Sequence, residues 1–292
     1  MSFEIITDSS ANLSLELIDR YKIHVLSLTF HEKDHSTEYK SFDNGRPIDT
    51  LQFYRRMRDE NAVFLTSCVN TSEAALSIEP ILQAGNDILY LGFSSGLSAT
   101  YQNVKTALDE LRTRYPDRVI LDCDTLAAAM GQGLLVTMAA RKRDAGADIR
   151  EVQAWVEREK LHLAHWFTVE SLKYLKRGGR VSATSAAIGT LLDIKPVLHV
   201  DNEGKLIPMS KVRGVRGAVS EMFKHMQATA MRDPELPVFI THADCLERAQ
   251  ELAERVRSEF GTKEIFIDAL DLVIGAHSGP GTLALFFFAE HR

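Results

Sequence analysis

Short apolar runs alternate with amphipathic stretches along the first half of the chain. Strands are predicted at 3–8 (FEIITD), 24–30 (HVLSLTF), 62–67 (AVFLTS), 87–93 (DILYLGF) and 118–124 (RVILDCD). Helices are predicted between them, at 50–59, 71–84, from about 100, at 125–145 and from 148 to about 161. In the helix from about residue 100, Val104, Leu108 and Leu111 fall on one face at helical spacing. This alternation predicts a mainly parallel sheet covered by helices on both faces.

The pattern changes after about residue 160. Strand-like runs then occur at 165–171, 195–201, 205–214, 236–243, 264–271 and 281–290, with helices at 215–231 and 245–260. The turn signal DNEGKL at 201–206 joins two of these strands as a hairpin. We therefore predict an α/β fold of two α/β domains. Residues 1–160 would carry the mainly parallel sheet, and residues 161–292 a mixed or antiparallel one.

Composition and charge narrow the class of protein. The 292 residues are 45% hydrophobic and 25% charged, which is typical of a globular protein. Lys and Arg number 34 against 40 Asp and Glu, a net charge of −6, which argues against general nucleic-acid binding. No apolar run approaches the ~20 residues of a membrane span, and no signal peptide is recognised. Three scattered cysteines form neither a disulfide framework nor a zinc-ligand pair, so we expect a cytoplasmic protein without stable membrane insertion.

The stretch LGFSSGLSATYQN, residues 91–103, places three serines and two glycines between a predicted strand and a helix. Gly92-Phe93-Ser94-Ser95-Gly96 matches G-x-S-x-G, the nucleophile elbow of α/β-hydrolases, which would make Ser94 a nucleophile and His277 its base. Alternatively, hydroxyls and backbone N–H groups at a helix N-terminus bind an anion. Capping of the helix by Ser95 or Ser98 explains the serines as well. The residues alone leave these three interpretations open.

The parallel-sheet prediction also groups three polar turns. Asp8-Ser9-Ser10, Thr66-Ser67-Cys68 and Ser94-Ser95-Gly96 each follow a predicted strand of the first half. Ligands gather at the carboxyl ends of strands in open α/β sheets. The three turns are therefore expected at one sheet edge.

A zinc-protease motif occurs at His31-Glu32-Lys33-Asp34-His35, which fits H-E-x-x-H. Such a motif binds zinc when it lies on a helix and a third ligand comes from elsewhere. Here it follows a predicted strand and has no apolar helical stripe. We expect a solvated loop or hairpin there.

Two glycine-rich segments of the second half are candidate ligand contacts. Residues 274–282 (IGAHSGPGT) place His277 among glycines, either for close backbone approach to a ligand or as an incidental turn residue. Arg180 follows two glycines and either holds a carboxylate or phosphate or lies on the surface. A basic cluster is either a docking patch for an acidic partner or a solvated strand face. Its members are Lys205, Lys211, Arg213 and Arg216.

Taken in order, these motifs resemble the DegV family of bacterial fatty-acid-binding proteins. The matching stretches are IITDSSANL, TSCVN, LGFSSGLSATYQN, SLKYLKRGGRVSATSAAIGTLLDIKPVLHVDNEGKL, KVRG and IGAHSGPGTLALFF, from residue 5 to residue 288. Each motif alone is weak, whereas the ordered set is specific. The resemblance implies two α/β domains with a lipid tunnel between them.

The resemblance also implies roles for individual residues. A buried fatty acid would have its carboxyl group held by Thr66 and by Ser94 or Ser95, near His277, with Ser95 favoured for the direct contact. Arg180 occupies the family's Gly-Gly-Arg position. In relatives that serve a fatty acid kinase, the binding protein presents the carboxyl group for phosphorylation by ATP held on the kinase. Arg213 best matches the arginine that helps to dock that kinase.

The implied function is lipid binding with no catalytic residue, metal or cofactor of the protein's own. Two departures bear on this. Thr66-Ser67-Cys68-Val69-Asn70 stands where the family commonly has Thr-Ser-Gln-Pro-Ser, which keeps the threonine but changes the turn. Ser98-Ala99-Thr100 replaces Ser-Gly-Thr and adds a methyl group at the helix start. A serine esterase using Ser94 and His277 is the alternative function.

Overall fold

The computed structural model of the protein describes residues 3–43, 49–182 and 193–292. Within these ranges the strands are β1 (Phe3–Asp8), β2 (His24–Leu26), β3 (Thr29–Glu32), β4 (Glu38–Lys40), β5 (Phe64–Ser67), β6 (Asp87–Gly92), β7 (Ile120–Asp124), β8 (Leu163–Thr168), β9 (Ile194–Val200), β10 (Leu206–Arg213), β11 (Val238–His242), β12 (Ile265–Ala269) and β13 (Leu283–Phe288). The helices are α1 (Leu15–Tyr21), α2 (Thr50–Asp59), α3 (Thr71–Gln83), α4 (Thr100–Arg114), α5 (Ala129–Asp144), α6 (Ile149–Glu159), α7 (Lys173–Arg177), α8 (Gly214–Thr229), α9 (Leu246–Phe260) and α10 (Leu272–Ser278). Residues 183–192, part of the longest stretch that resembles the DegV family, lie outside the described residues.

Three sheets organise the described chain. A parallel four-stranded sheet has the order β2-β1-β6-β7. A mixed six-stranded sheet has the order β10-β9-β8-β13-β11-β12, in which only the β11–β12 pair is parallel. A small antiparallel sheet has the order β4-β3-β5. The predicted α/β fold, parallel first and mixed second, is therefore confirmed, while the domain boundary at residue 160 stays a prediction.

The predicted strand at residues 24–30 is wrong as a single element. It forms β2 of the parallel sheet and β3 of the small sheet, with a break at Ser27 and Leu28. Side chains take over the backbone hydrogen bonds at this break. The Leu28 N–H donates to Ser9 Oγ at 2.9 Å, and the Phe42 N–H donates to Ser27 Oγ at 3.0 Å. Such bonds compete with a sheet ladder and let the chain leave the first sheet.

A second correction follows from the break at residues 24–30. Thr66 belongs to β5, which pairs antiparallel with β3 and lies outside the parallel sheet. The three polar turns therefore do not share one sheet edge. The other two do meet, because the Phe93 N–H donates to the buried carboxylate of Asp8 at 2.9 Å.

Helix α5 connects the two larger sheets. It packs against β1 and β6 of the parallel sheet and against β8, β11 and β13 of the mixed sheet. It begins at Ala129 and not at residue 125, because Leu126 and Ala129 adopt left-handed backbone angles, with φ of 50° and 51°. The Thr125 hydroxyl instead donates to Gly92 O at 2.7 Å, which ties this turn to the end of β6.

Candidate functional site

A cavity of about 260 Å³ lies between the two halves of the chain. Phe93, Leu97 and Ala128 contribute to its wall from the first half, and Phe167 and Phe286 from the second. Most lining side chains are apolar, as expected for a small-molecule site that buries a ligand. Polar side chains also reach the wall: Thr66, Ser67, Cys68, Ser98, His165, Arg180, His277, Ser278 and Thr282.

Thr66 and His277 form a hydrogen-bonded pair in this wall. Their Oγ1 and Nε2 atoms are 2.8 Å apart, although 211 residues separate them in the chain. His277 lies in α10 and not in a turn, whereas residues 279–282 lie beyond the end of that helix. Asp271 caps this helix by accepting the Val273 N–H at 2.9 Å.

The environment of His277 keeps its imidazole neutral. Burial, with the positive charges of Arg180 and Arg177 nearby, lowers the pKa of His277 to about 4. Gly178 makes this packing possible, because a Cβ atom there would lie 2.1 Å from His277 Nδ1. At neutral pH His277 therefore offers hydrogen bonds and no charge.

Arg180 supplies positive charge to the wall. Its Nε donates to Leu97 O at 3.1 Å, and another guanidinium nitrogen donates to Gly178 O. The bond to Leu97 joins the segment after α7 to the turn before α4. Burial lowers the pKa of Arg180, yet no carboxylate of the described residues lies within ion-pair distance. The site can therefore accept an anion without displacing a protein carboxylate.

The Ser-Ser-Gly turn does not deliver its serines to the cavity. Ser94 is fully buried, and its hydroxyl donates to Gly204 O at 2.8 Å. Ser95 is exposed, and its N–H donates to Asp124 Oδ1 at 3.2 Å. Neither serine lines the cavity, so a direct contact from either one to a carboxylate stays a prediction.

Ser98 is the serine of this region that lines the cavity. Its Oγ lies 2.9 Å from Thr100 Oγ1 and accepts the Thr100 N–H at 3.2 Å. The sequence interpretation treated Ser98 only as a helix cap. The signal that could have singled it out is the Ser98-Ala99-Thr100 sequence, in which a serine hydroxyl can bond a backbone N–H two residues on.

The geometry around Ser94 differs from a nucleophile elbow. That elbow places the serine on a strained turn, exposed above the sheet. Ser94 is buried and has a negative φ, and His277 is bonded to Thr66. The two residues of the esterase alternative are therefore not paired.

His165 and Phe286 form another part of the wall. The rings pack edge to face, with centroids 5.3 Å apart. His165 Nδ1 donates to Leu163 O at 3.1 Å, since a carbonyl can only accept, and Nε2 accepts the Ala128 N–H at 3.4 Å. Burial holds the pKa of His165 well below its ordinary value. A Cβ atom on Gly131 would lie 2.3 Å from His165 Nε2 and 2.8 Å from Phe286 Cδ1.

The remaining sequence candidates lie away from the cavity. Arg213 is exposed at the end of β10, an edge strand of the mixed sheet. His31 and Glu32 belong to β3, and Asp34 turns the chain with φ of 68°, so the H-E-x-x-H motif forms the expected hairpin.

Neither a candidate metal cluster nor a membrane-spanning helix occurs in the part of the chain that the structure describes. Residues 3–43, 49–182 and 193–292 contain no group of three His, Cys, Asp or Glu side chains that could hold a metal ion. Among the helices in those ranges, none combines the length and hydropathy needed to cross a bilayer.

Comparison with known proteins gives matches along nearly the whole chain. The family model of the DegV proteins matches residues 2–290. A DegV domain-containing protein of Clostridium perfringens is 42% identical over 291 residues, which cover 99% of this chain and 98% of the relative. A solved DegV lipid-binding protein of Thermotoga maritima superposes with a TM-score of 0.87 at 27% identity and covers 100% of both chains. A solved DegV family protein of Thermus thermophilus, described by its fatty acid binding, gives 0.86 at 27% identity and covers 99% of this chain and 100% of its own. The chain therefore belongs to the DegV family.

Proposed function

We propose that this protein binds a long-chain fatty acid in the cavity between its two halves. The observation that carries the proposal is the wall itself, which is largely apolar but includes the Thr66–His277 pair and Arg180. The solved lipid-binding relative from Thermotoga maritima and the fatty-acid-binding relative from Thermus thermophilus share the fold along the whole chain. The apolar wall takes the acyl tail, and the polar residues take the carboxyl group.

The tail supplies most of the affinity. Burying an acyl chain contributes about 0.8 kcal/mol per methylene, so ~14 methylenes give on the order of 11 kcal/mol before the costs of binding. A hydrogen bond to a charged group contributes only about 1.5–3 kcal/mol. The hydroxyls therefore fix the orientation of the ligand and prevent a carboxylate from being buried without partners.

The charges of the wall suit a carboxylate. Arg180 provides a positive charge with no carboxylate of the described residues beside it, and His277 is neutral. Thr66 and Ser98 are the hydroxyls that line the cavity on the first half. We place the carboxyl group among these four residues, with Ser98 in the role that the resemblance gave to Ser94 or Ser95.

The protein presents this carboxyl group to a partner kinase that holds ATP, and it needs no cofactor of its own. Held by hydroxyls, a carboxylate oxygen keeps a lone pair to attack a phosphoryl group. Arg213 lies exposed on an edge strand, where an acidic partner can reach it. In this scheme the protein contributes positioning, and the phosphoryl chemistry takes place on the kinase.

Lipid extraction and native mass spectrometry test the binding. Purified protein should carry a fatty acid, and delipidated protein should take up palmitate with a mass increase of one ligand. Protein that carries none and takes up none would refute the proposal. A fluorophosphonate probe that labels Ser94, together with aryl-ester turnover, would establish the esterase alternative.

Kinase presentation requires a separate assay. With a fatty acid kinase of the same organism, ATP and loaded protein, hydroxylamine should trap an acyl hydroxamate. Arg213→Glu should lower this yield while the affinity for palmitate stays unchanged. Loss of palmitate binding in that variant would instead place Arg213 in the lipid site.

A further inference from the structure

The cavity-facing side of α10 carries a second polar residue besides His277. Val273, Ile274, His277 and Ser278 all line the cavity, which is the spacing of one helix face. Ser278 follows His277 directly at the C-terminal end of α10. Whatever binds beside His277 is therefore also close to Ser278.

Ser278 holds a buried hydroxyl with no partner. The residue is 5% exposed, and its Oγ has no hydrogen-bond partner among the described residues. A serine in a helix ordinarily bonds the carbonyl four residues earlier, which here belongs to Ile274, and that bond is not made. Buried polar groups are nearly always satisfied, so an orphan hydroxyl needs an explanation.

The other buried or half-buried hydroxyls of the cavity wall have partners. Thr282 also lines the cavity, but its Oγ1 donates to Gly279 O at 2.7 Å. Thr66 is bonded to His277, and Ser98 is bonded to Thr100. A ligand that recruits one of these residues must compete with an existing bond. Ser278 can donate without giving up any bond.

We propose that Ser278 donates a hydrogen bond to a carboxylate oxygen of the bound fatty acid, beside Thr66 and His277. This inference rests on the proposed function. A serine hydroxyl has three staggered positions about χ1, so one rotation can present it to a ligand in the cavity that the residue lines. The bound carboxylate would then supply the partner that the Ser278 hydroxyl lacks within the protein.

The Ser278→Ala variant tests this role, because the role predicts weaker palmitate binding without any loss of stability. Removing an unpartnered buried hydroxyl should leave the melting temperature of delipidated protein unchanged or higher. The same change should weaken palmitate binding by roughly tenfold to a hundredfold, as expected for a lost hydrogen bond to a charged group. Binding of 1-hexadecanol, which has the same tail and no carboxylate, should weaken much less.

The pKa of the bound carboxyl group provides a second measurement of this contact. Palmitate labelled with ¹³C at the carboxyl carbon is titrated by NMR while bound to each protein. Loss of a donor to the charged form should raise the pKa of the bound carboxyl group in Ser278→Ala. Thr137→Val is the control, because its buried hydroxyl donates to Gly133 O at 2.8 Å and the residue does not line the cavity; it should leave the bound carboxyl pKa unchanged.

Three results would overturn the role of Ser278. They are a palmitate affinity within twofold of the parent, an equal loss for palmitate and hexadecanol, and an unchanged carboxyl pKa in Ser278→Ala. A parent protein that takes up no palmitate would instead refute the proposed function, and with it the role of Ser278. Failure of binding by the parent and failure of the Ser278 role are therefore distinguishable.

Discussion

Gly131 packs against the His165 and Phe286 rings of the cavity wall and, having no Cβ, leaves room for them. In Gly131→Ala, the new Cβ would lie 2.3 Å from His165 Nε2, whereas ordinary contact begins at 3.4 Å. The ring must therefore move by about 3.4 − 2.3 = 1.1 Å. Both rings line the cavity, so the space that they need is taken from it. This shift is comparable to the advance of one methylene along an extended acyl chain.

The consequence is a change in chain-length preference. Excluding one methylene costs about 0.8 kcal/mol, or roughly fourfold in affinity. Competition between stearate and myristate, read by mass spectrometry of the complex, should shift toward myristate by about that factor or more. The fold should persist, because Ala gains up to about 1 kcal/mol of helix propensity against about 1–3 kcal/mol of overpacking.

Gly133→Ala provides the matched control on the same helix. Its Cβ would lie 2.4 Å from Ala11 O and 3.0 Å from a Leu13 methyl group, and neither residue lines the cavity. It should lower stability without changing the stearate-to-myristate ratio. An unchanged ratio in Gly131→Ala, or the same shift in both variants, would refute the reasoning.

Three further predictions concern the carboxyl end of the site. Gly178→Ala would place a Cβ 2.1 Å from His277 Nδ1 and should weaken palmitate binding about tenfold. Gly217→Ala, whose Cβ would make only an ordinary contact with Val212 at 3.6 Å, should leave binding unchanged, and calorimetry that finds equal affinities in both variants contradicts this. Ser98→Ala should weaken palmitate binding, because Ser98 lines the cavity. Ser94→Ala should instead lower the unfolding free energy by about 1–3 kcal/mol, because it leaves the buried Gly204 carbonyl unpaired. Binding isotherms and denaturant titrations that show weaker binding in Ser94→Ala and lower stability in Ser98→Ala would contradict this assignment. The pKa of His277 is lowered from 6.5 to about 4, so the unfolded chain binds more protons than the folded protein between pH 6.5 and 4. Stability therefore falls as the pH drops through that window. His277→Gln should reduce the pH dependence of the melting temperature there, and an unchanged dependence would contradict the reasoning.

Local patterns predicted most of the elements. The predicted strand at 3–8 and the predicted helix at 50–59 match β1 and α2 residue for residue. The switch from parallel to mixed pairing near residue 160 follows from the change in spacing between apolar runs. These features depend on periodicity over short windows, which a single sequence records well.

The errors arose where distant residues decide the structure. The apolar run at 24–30 contains no turn signal, and its break depends on the Ser9 and Ser27 hydroxyls accepting backbone bonds. His277 looked like a loop residue among glycines, but Gly275 is in a helix, where its missing Cβ leaves room for the Tyr54 ring. Neither contact leaves a local trace in the sequence.

The candidate site was predicted in part. Thr66, Arg180 and His277 line one cavity, although nothing in their sequence positions relates them. Only the structure shows that Ser98 lines the cavity and that Ser94 and Ser95 do not. A hydroxyl in a tight turn points into or away from a cavity according to single backbone angles, which composition does not encode.

The pairing of Thr66 with His277 has a consequence for how lipid is released. The two residues come from opposite halves of the chain, so a carboxylate held by both acts as a crosslink between the halves. We expect its departure to require separation of these two residues, so its residence time would depend on that movement as well as on the length of the tail. Either half produced alone would contribute only part of the cavity wall, and we expect it to retain no fatty acid through purification.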